Sequence, residues 1–131
     1  CRTVALLGFS IPTYFLARWA RDAAPSQRIP LPQAVAALTS VPAALAGLAD
    51  RGRLQVGLKA DINLIDLDRL QVHVPNVAHD LPAGGRRMHQ RASGYVATIV
   101  AGTVTYRQGE PTGALPGRLV RGAAATVAAA A

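Results

Sequence analysis

Apolar residues recur at helical spacing in the first part of the chain and alternate with polar ones after about residue 60. Residues 3–7 form a short apolar run, the end of a buried strand or a loop leading into a helix. Ser10 and Pro12 then resemble a helix start, because serine caps free amides and proline suits the first turn. Tyr14, Phe15, Leu16, Ala17, Trp19 and Ala20 give that helix a wide apolar face, with Arg18, Arg21 and Asp22 opposite. It is expected to fail near Ala24-Pro25. A second helix is expected from Gln33 to Leu38. Ser40 is then expected to cap a third, with Ala43, Ala44, Leu45 and Leu48 facing inward and Gly47 as its stop.

The stretch from Asp50 to Asp66 joins the two halves. Gly52 and Gly57 punctuate a turn, and a strand-like run follows in which Ile62, Leu64 and Ile65 are apolar. Strands are predicted near 61–67, 70–74, 86–92, 95–101 and 103–107. A tight turn at Asp68-Arg69 joins the first two, and Ala101-Gly102 or Gly102-Thr103 supplies a two-residue hairpin turn between the last two. The stretch from Pro75 to Gly85, with two prolines and two glycines, reads as a loop, as does Gln108 to Pro111. Leu119-Val120 is a candidate last strand, and 123–131 is a low-complexity alanine-rich tail expected to fray. The fold class is therefore α+β, with a helical segment over 1–50, a sheet portion over 51–122 and a tail over 123–131.

Composition qualifies this picture. Half of the 131 residues are hydrophobic, which excludes a disordered chain, but much of that half is alanine and only six residues are aromatic, so the core is expected to be light. The net charge is +7, from thirteen arginines and Lys59 against seven acids. The arginines are scattered singly or in pairs without interleaved aromatics, which argues against nucleic acid and for a solvated basic surface. Cys1 is the only cysteine, so neither an intrachain disulfide nor a thiolate cluster forms. A first residue other than methionine suggests a piece of a longer protein. No run approaches the roughly 20 apolar residues that span a bilayer, and a cytoplasmic setting without membrane contact is expected.

The residues offer little self-sufficient chemistry. His73, His79 and His89 occur without a His-x-His or His-Glu-x-x-His pattern, and a catalytic metal needs about three converging ligands. His79-Asp80 is the pair of interest, since a neighbouring carboxylate orients an imidazole, but both residues also suit turn anchoring. They are the only weak metal candidates. Asp66 and Asp68 flank a turn, where Asp66 is expected to close the strand and Asp68 to accept turn hydrogen bonds. Gly84-Gly85 before Arg86-Arg87 lacks a phosphate-binding context, and there is no Gly-x-Ser-x-Gly. No catalytic or cofactor-binding residue is assigned.

Several blocks in order carry a resemblance. Residues 10–22 (Ser-Ile-Pro-Thr-Tyr-Phe-Leu-Ala-Arg-Trp-Ala-Arg-Asp), Leu38 to Ala43, Gly47 to Gly52, Ala60-Asp61 to Asp66, His79 to Gly85, and Gly102 to Gly113 with Leu115 to Arg121 are similar to the carboxy-terminal part of N-acyl-D-amino-acid deacylases (D-aminoacylases), in the amidohydrolase superfamily. The similarity runs from about Ser10 to Gly122 and departs at Gly8, where many relatives have aspartate. It implies helices from the end of a (β/α)₈ barrel followed by antiparallel strands of a β-sandwich. It also implies a zinc-dependent hydrolase of the amide in N-acyl-D-amino acids, in which a metal-activated hydroxide attacks the carbonyl and an aspartate shuttles the proton. The family's metal ligands and catalytic aspartate precede the matched region, so none is carried onto a residue here. The expected partner is accordingly the barrel portion or a second copy of the chain. The alternatives from other classes are a non-catalytic interaction module and, third, a basic nucleic-acid binder.

Overall fold

The computed structural model describes residues 10–120, and the expectations for residues 3–7 and 123–131 lie outside them. Helix α1 covers residues 10–22, α-helical to residue 15 and wound as a π-helix over Leu16–Asp22, and it stops at Ala23, whose ψ is 151°. Thr13, Leu16, Ala17 and Ala20 are its buried residues, and Ala23 just past its end is buried too. Tyr14 and Trp19, expected inside, remain 55% and 39% exposed. The buried stripe is narrow because α1 packs mainly on α2 and on the chain around Leu70. The Arg18 guanidinium instead sits 5.8 Å over the Trp19 ring, and such stacking keeps a half-exposed indole partly covered.

Helix α2 (Leu31–Leu38) enters through Pro30 and Pro32 and buries Ala34 completely. Helix α3 (Ser40–Leu45) follows after one break at Thr39, whose hydroxyl donates back to the Val35 carbonyl. Of the four residues expected inward on α3, only Ala43 is buried, and Leu45 is 85% exposed. Six residues present too short a face to cover more. Gly47 ends the helix with a φ of 68°, and the Leu48 amide returns to the Ala43 carbonyl at 2.8 Å, the closure that a left-handed glycine permits.

Among the described residues eight strands follow, all paired antiparallel. The main sheet has the order β1 (Ile62–Ile65), β6 (Tyr95–Val100), β7 (Thr103–Arg107), β8 (Glu110–Pro111). Two ribbons stand beside it: β2 (Gln71–Val72) with β5 (Ala92–Ser93), and β3 (Asn76–Leu81) with β4 (Gly85–His89). The fold is thus α+β. The sequence reading of Pro75 to Gly85 as a loop is corrected: its proline and glycine residues stand at the ends of a strand. Pro75 precedes β3, while Pro82, Gly84 and Gly85 shape the turn into β4. Strands 61–67 and 70–74 do not form a hairpin with each other; β1 joins β6 and β2 joins β5. Leu119-Val120 lies outside any strand, and Gln108 to Pro111, read as a loop, includes the short edge strand β8.

Two of the turns follow one rule. Ala101 and Gly102 have φ values of 50° and 79°, and Gln108 and Gly109 have 50° and 84°, the positive pairs that a two-residue hairpin with the sheet's twist requires. At Ala101 the left-handed backbone is held by the Asp61 carboxylate, which accepts its amide at 2.8 Å. β-Bulges pair Ile65 with Tyr95 and Ile99 with Val104, and Ile65 and Tyr95 reach the shared core.

That core contains Leu16, Ala17, Ala20, Ala34 and Leu70, surrounded by Phe15, Ile29, Leu38, Ile65, Leu67 and Tyr95. Leu70 is wholly buried and is fixed from two sides. Arg21 Nη1 donates to the carbonyls of Leu67 at 2.6 Å, Asp68 at 3.1 Å and Leu70 at 2.8 Å, while its Nε and Nη2 hold Asp22. From the other side Gly94, with a φ of 93°, lies so close that a Cβ would be 2.6 Å from Leu70 Cα and 2.7 Å from its nitrogen. Thr13 meets the Tyr95 hydroxyl at 2.8 Å, and the Ser10 hydroxyl donates to Gln90 Oε1, which joins the start of α1 to the far end of the ribbons. Among the described residues no helix is long and apolar enough to cross a membrane.

Two expectations follow. Gly94→Ala combines a forbidden φ with a backbone clash and should cost more than about 3 kcal/mol, whereas Gly109→Ala, equally left-handed but with open space around it, should cost about 1 kcal/mol. Urea denaturation of both variants distinguishes them, and equal losses would remove the close-packing argument. The hydrogen-bonded Arg21 guanidinium holds the Asp22 carboxyl below the usual carboxylate range, with Arg18 and Arg28 adding to the effect. A carboxyl depressed on folding stabilises above its unfolded value near 4 and loses that contribution as pH falls through its folded value. The thermal midpoint should therefore drop below about pH 4, and Asp22→Asn should lower the midpoint at pH 7 while flattening the acid loss. A variant curve parallel to the parent's would exclude Asp22 as a contributor.

Candidate functional site

His79 and Asp80 are adjacent on β3, where successive side chains leave opposite faces of the strand. The Asp80 carboxylate faces Arg87 on β4: Arg87 Nε donates to Oδ1 at 2.7 Å and Nη2 to Oδ2 at 2.6 Å. This bidentate pair lowers the Asp80 pKa and raises that of Arg87, through the hydrogen bonds first and the charges second. Asp80 is thus engaged with a guanidinium and not with an imidazole. His73 contributes backbone only, its amide donating to the Arg91 carbonyl at 2.9 Å and its carbonyl accepting Gln90 Nε2 at 2.9 Å. His89 faces Asn76 across the ribbon.

Among the described residues no three side chains of histidine, cysteine, aspartate or glutamate type come together. The zinc implied by the resemblance therefore finds no fit among them, and no reaction step can be assigned to these histidines. All seven acids lie within the described part, and six are ion-paired with arginine: Asp22, Asp50, Asp61, Asp66, Asp80 and Glu110. At the Asp66-Asp68 turn, the Asp66 side chain accepts the Arg69 amide at 3.3 Å and its own amide donates to the Gly94 carbonyl at 2.8 Å. Asp68 offers its backbone carbonyl to Arg21 rather than its carboxylate.

A second polar hub, after that of Arg21, centres on Arg51, which no catalytic motif marked. Arg51 donates through Nε and Nη2 to both oxygens of Asp50, at 2.9 and 3.0 Å, and through Nη1 to Asp61 at 3.2 Å. The Asp50 carbonyl accepts the Lys59 amide at 2.8 Å, and the Ala60 carbonyl accepts the Gly102 amide at 3.0 Å. Gly52 tucks this loop against the helices, since a Cβ there would be 2.6 Å from Ala43 Cβ and 3.0 Å from the Thr39 carbonyl. The chain from Asp50 to Asp61 is in this way tied to α3 at one end and to the β6–β7 turn at the other. A cleft of about 510 Å³ opens between α3 and this loop, lined by Ser40, Ala44, Leu48, Arg53, Gln55 and Leu58 among others. The Arg51-Asp50 hydrogen bonds lower the Asp50 pKa and raise that of Arg51, so both stay charged at neutral pH. The only sequence signal for this arrangement was the Asp-Arg-Gly triplet before an apolar run, which does not by itself say that Asp61 will reach back.

What the arrangement does chemically is hold backbone in place. A family model described as Amidohydrolase family matches residues 9–106. The N-acyl-D-glutamate deacylase of Alcaligenes xylosoxydans xylosoxydans is 34% identical over 109 residues, covering 83% of this chain. The chain spans 20% of the length of that relative. No solved structure matches significantly. With most of its length inside the family match, and with that identity beside it, this chain belongs to the amidohydrolase family, among its D-aminoacylase-like members.

Proposed function

We propose that this chain is the carboxy-terminal structural part of a hydrolase that cleaves the amide of an N-acyl-D-amino acid, and that it works by docking onto a catalytic barrel portion. The observation that carries this reading is the inversion of its apolar surface. Six alanines and two leucines are the buried apolar residues described, while nineteen large apolar side chains are exposed, from Ile11 and Tyr14 on α1 to Val41 and Leu45 on α3. Burying one such side chain is worth roughly 1.5–3 kcal/mol, so this much exposed surface favours a covering partner. The sheet carries a matching asymmetry. Its β8 edge is two residues long and ends in Pro111, which blocks further pairing, whereas the β1 edge, Ile62–Ile65, is uncharged and open to another strand.

In this reading α1, α2 and α3 are the last helices of the barrel, and the main sheet is the portion of a β-sandwich that remains. The one-fifth coverage of the deacylase agrees with a catalytic metal, zinc by family habit, being held by residues of the barrel portion. The substrate is an N-acyl-D-amino acid, with N-acyl-D-glutamate the first to test because the matching relative is described as acting on it.

The test is complementation. The 131-residue chain alone should not turn over N-acetyl-D-glutamate. Co-expressed with the deacylase segment that precedes the matched region, it should co-purify and raise turnover at least about 100-fold above either part, the scale expected when a catalytic constellation is completed. Leu64→Lys on the open edge and Tyr14→Glu on α1 should weaken that association about 10-fold or more. Turnover by the chain alone, or failure of the two parts to associate, would overturn the proposal.

A further inference from the structure

None of the nineteen exposed apolar side chains lines the cleft between α3 and the loop after Arg51, and its lining has a chemistry of its own. Its volume of about 510 Å³ falls within the range of roughly 300–1,000 Å³ typical of small-molecule sites. No aspartate or glutamate lines it. Its polar wall carries three donors, the Ser40 hydroxyl, the Arg53 guanidinium and the Gln55 amide. Among the described residues none of these three side chains has a hydrogen-bond or ion-pair partner. The contrast with Arg51 next to them is sharp: that guanidinium is only 19% exposed and is held by Asp50 and Asp61, so its charge is already compensated and Arg53 is the cation left for a ligand. Ala44, Leu48 and Leu58 supply the apolar wall.

We infer that this cleft binds a small carboxylate with a short branched apolar tail. The carboxylate takes a two-pronged hydrogen bond from Arg53, a geometry that guanidinium and carboxylate share, with Ser40 and Gln55 donating to the remaining lone pairs. The tail covers Leu48 and Leu58. A carboxylate is favoured over a phosphate because the site offers a single mobile cation, half its lining is aliphatic, and a dianion would leave charge uncompensated. The site lies on helix α3 and the Asp50–Asp61 tether, so occupancy would stiffen the segment that links helices to sheet.

The probe is 4-methylpentanoate, followed by ligand-observed saturation-transfer NMR and calorimetry on the full 131-residue chain. Both methods tolerate self-association. The expected results are saturable binding, at least about 10-fold weaker binding of the neutral 4-methylpentanamide, and a similar loss with acetate, which lacks the tail. Arg53→Ala should weaken the acid about 10-fold or more while leaving the circular dichroism and thermal midpoint unchanged, since Arg53 holds nothing else in place. Ala44→Leu fills the cleft from the helix side and should abolish binding. The inference is overturned if the amide binds as well as the acid, if inorganic phosphate binds more tightly than either, if Arg53→Ala or Ala44→Leu leaves affinity unchanged, or if no saturation is seen up to 10 mM, on the order of the weakest affinity a specific small-ligand site retains.

Discussion

Arg21 makes the connection on which the rest of the chain depends. One guanidinium nitrogen gathers three carbonyls of the turn 67–70, and the other two nitrogens grip Asp22 on the same helix. Charge-assisted hydrogen bonds to backbone are stronger than neutral ones, and these are spent on a turn that has little regular structure of its own. The consequence is that Leu70, the largest fully buried side chain, is pinned between helix α1 and the bare backbone of Gly94. Since most other buried residues are alanines, which add little hydrophobic free energy apiece, this polar clamp carries an unusual share of the work of joining helices to strands.

Arg51 repeats the solution in the segment between α3 and the main sheet. It pairs with two carboxylates that the chain brings together from eleven residues apart, and Asp61 in turn supports the left-handed Ala101 at the tip of the β6–β7 hairpin. Two arginines, each answering backbone or carboxylate groups from distant positions, thus do for this chain what a larger aliphatic core does elsewhere. Six of the seven acids serve as partners of arginines, and among the described residues no three side chains of histidine, cysteine, aspartate or glutamate type come together. The chain spans a fifth of the length of its deacylase relative.

Some of the fold was legible residue by residue. The hairpin around Ala101-Gly102 was readable because turn residues and alternation act over a few positions, and so was the stop of α3 at Gly47, where a left-handed glycine closes the helix. The stretch 76–81 misled because Pro75, Pro82, Gly84 and Gly85 were counted as a loop, whereas their placement at the strand's two ends leaves the amides between them free to pair with β4. His79-Asp80 drew notice as a sequence neighbour pair, but alternation along a strand separates neighbours and Arg87 takes the carboxylate. The Arg51 hub and the cleft beside it were invisible, since each needs residues brought together from Ser40 to Asp61.

Taken by itself, the sequence determined the class of the chain, α-helices followed by antiparallel strands, and through blocks in matching order its likeness to D-aminoacylases. Periodicity, turn chemistry and short motifs are local properties, and they survive in a sequence read without coordinates. Only the tertiary structure decided that β1 pairs with β6 rather than with β2, that Tyr14 and Trp19 face outward, and that Arg21 reaches across forty-nine residues to the Leu70 carbonyl. Pairing partners and exposed faces are fixed by which distant surfaces meet, and that depends on packing geometry and charge partners that no window of neighbouring residues contains.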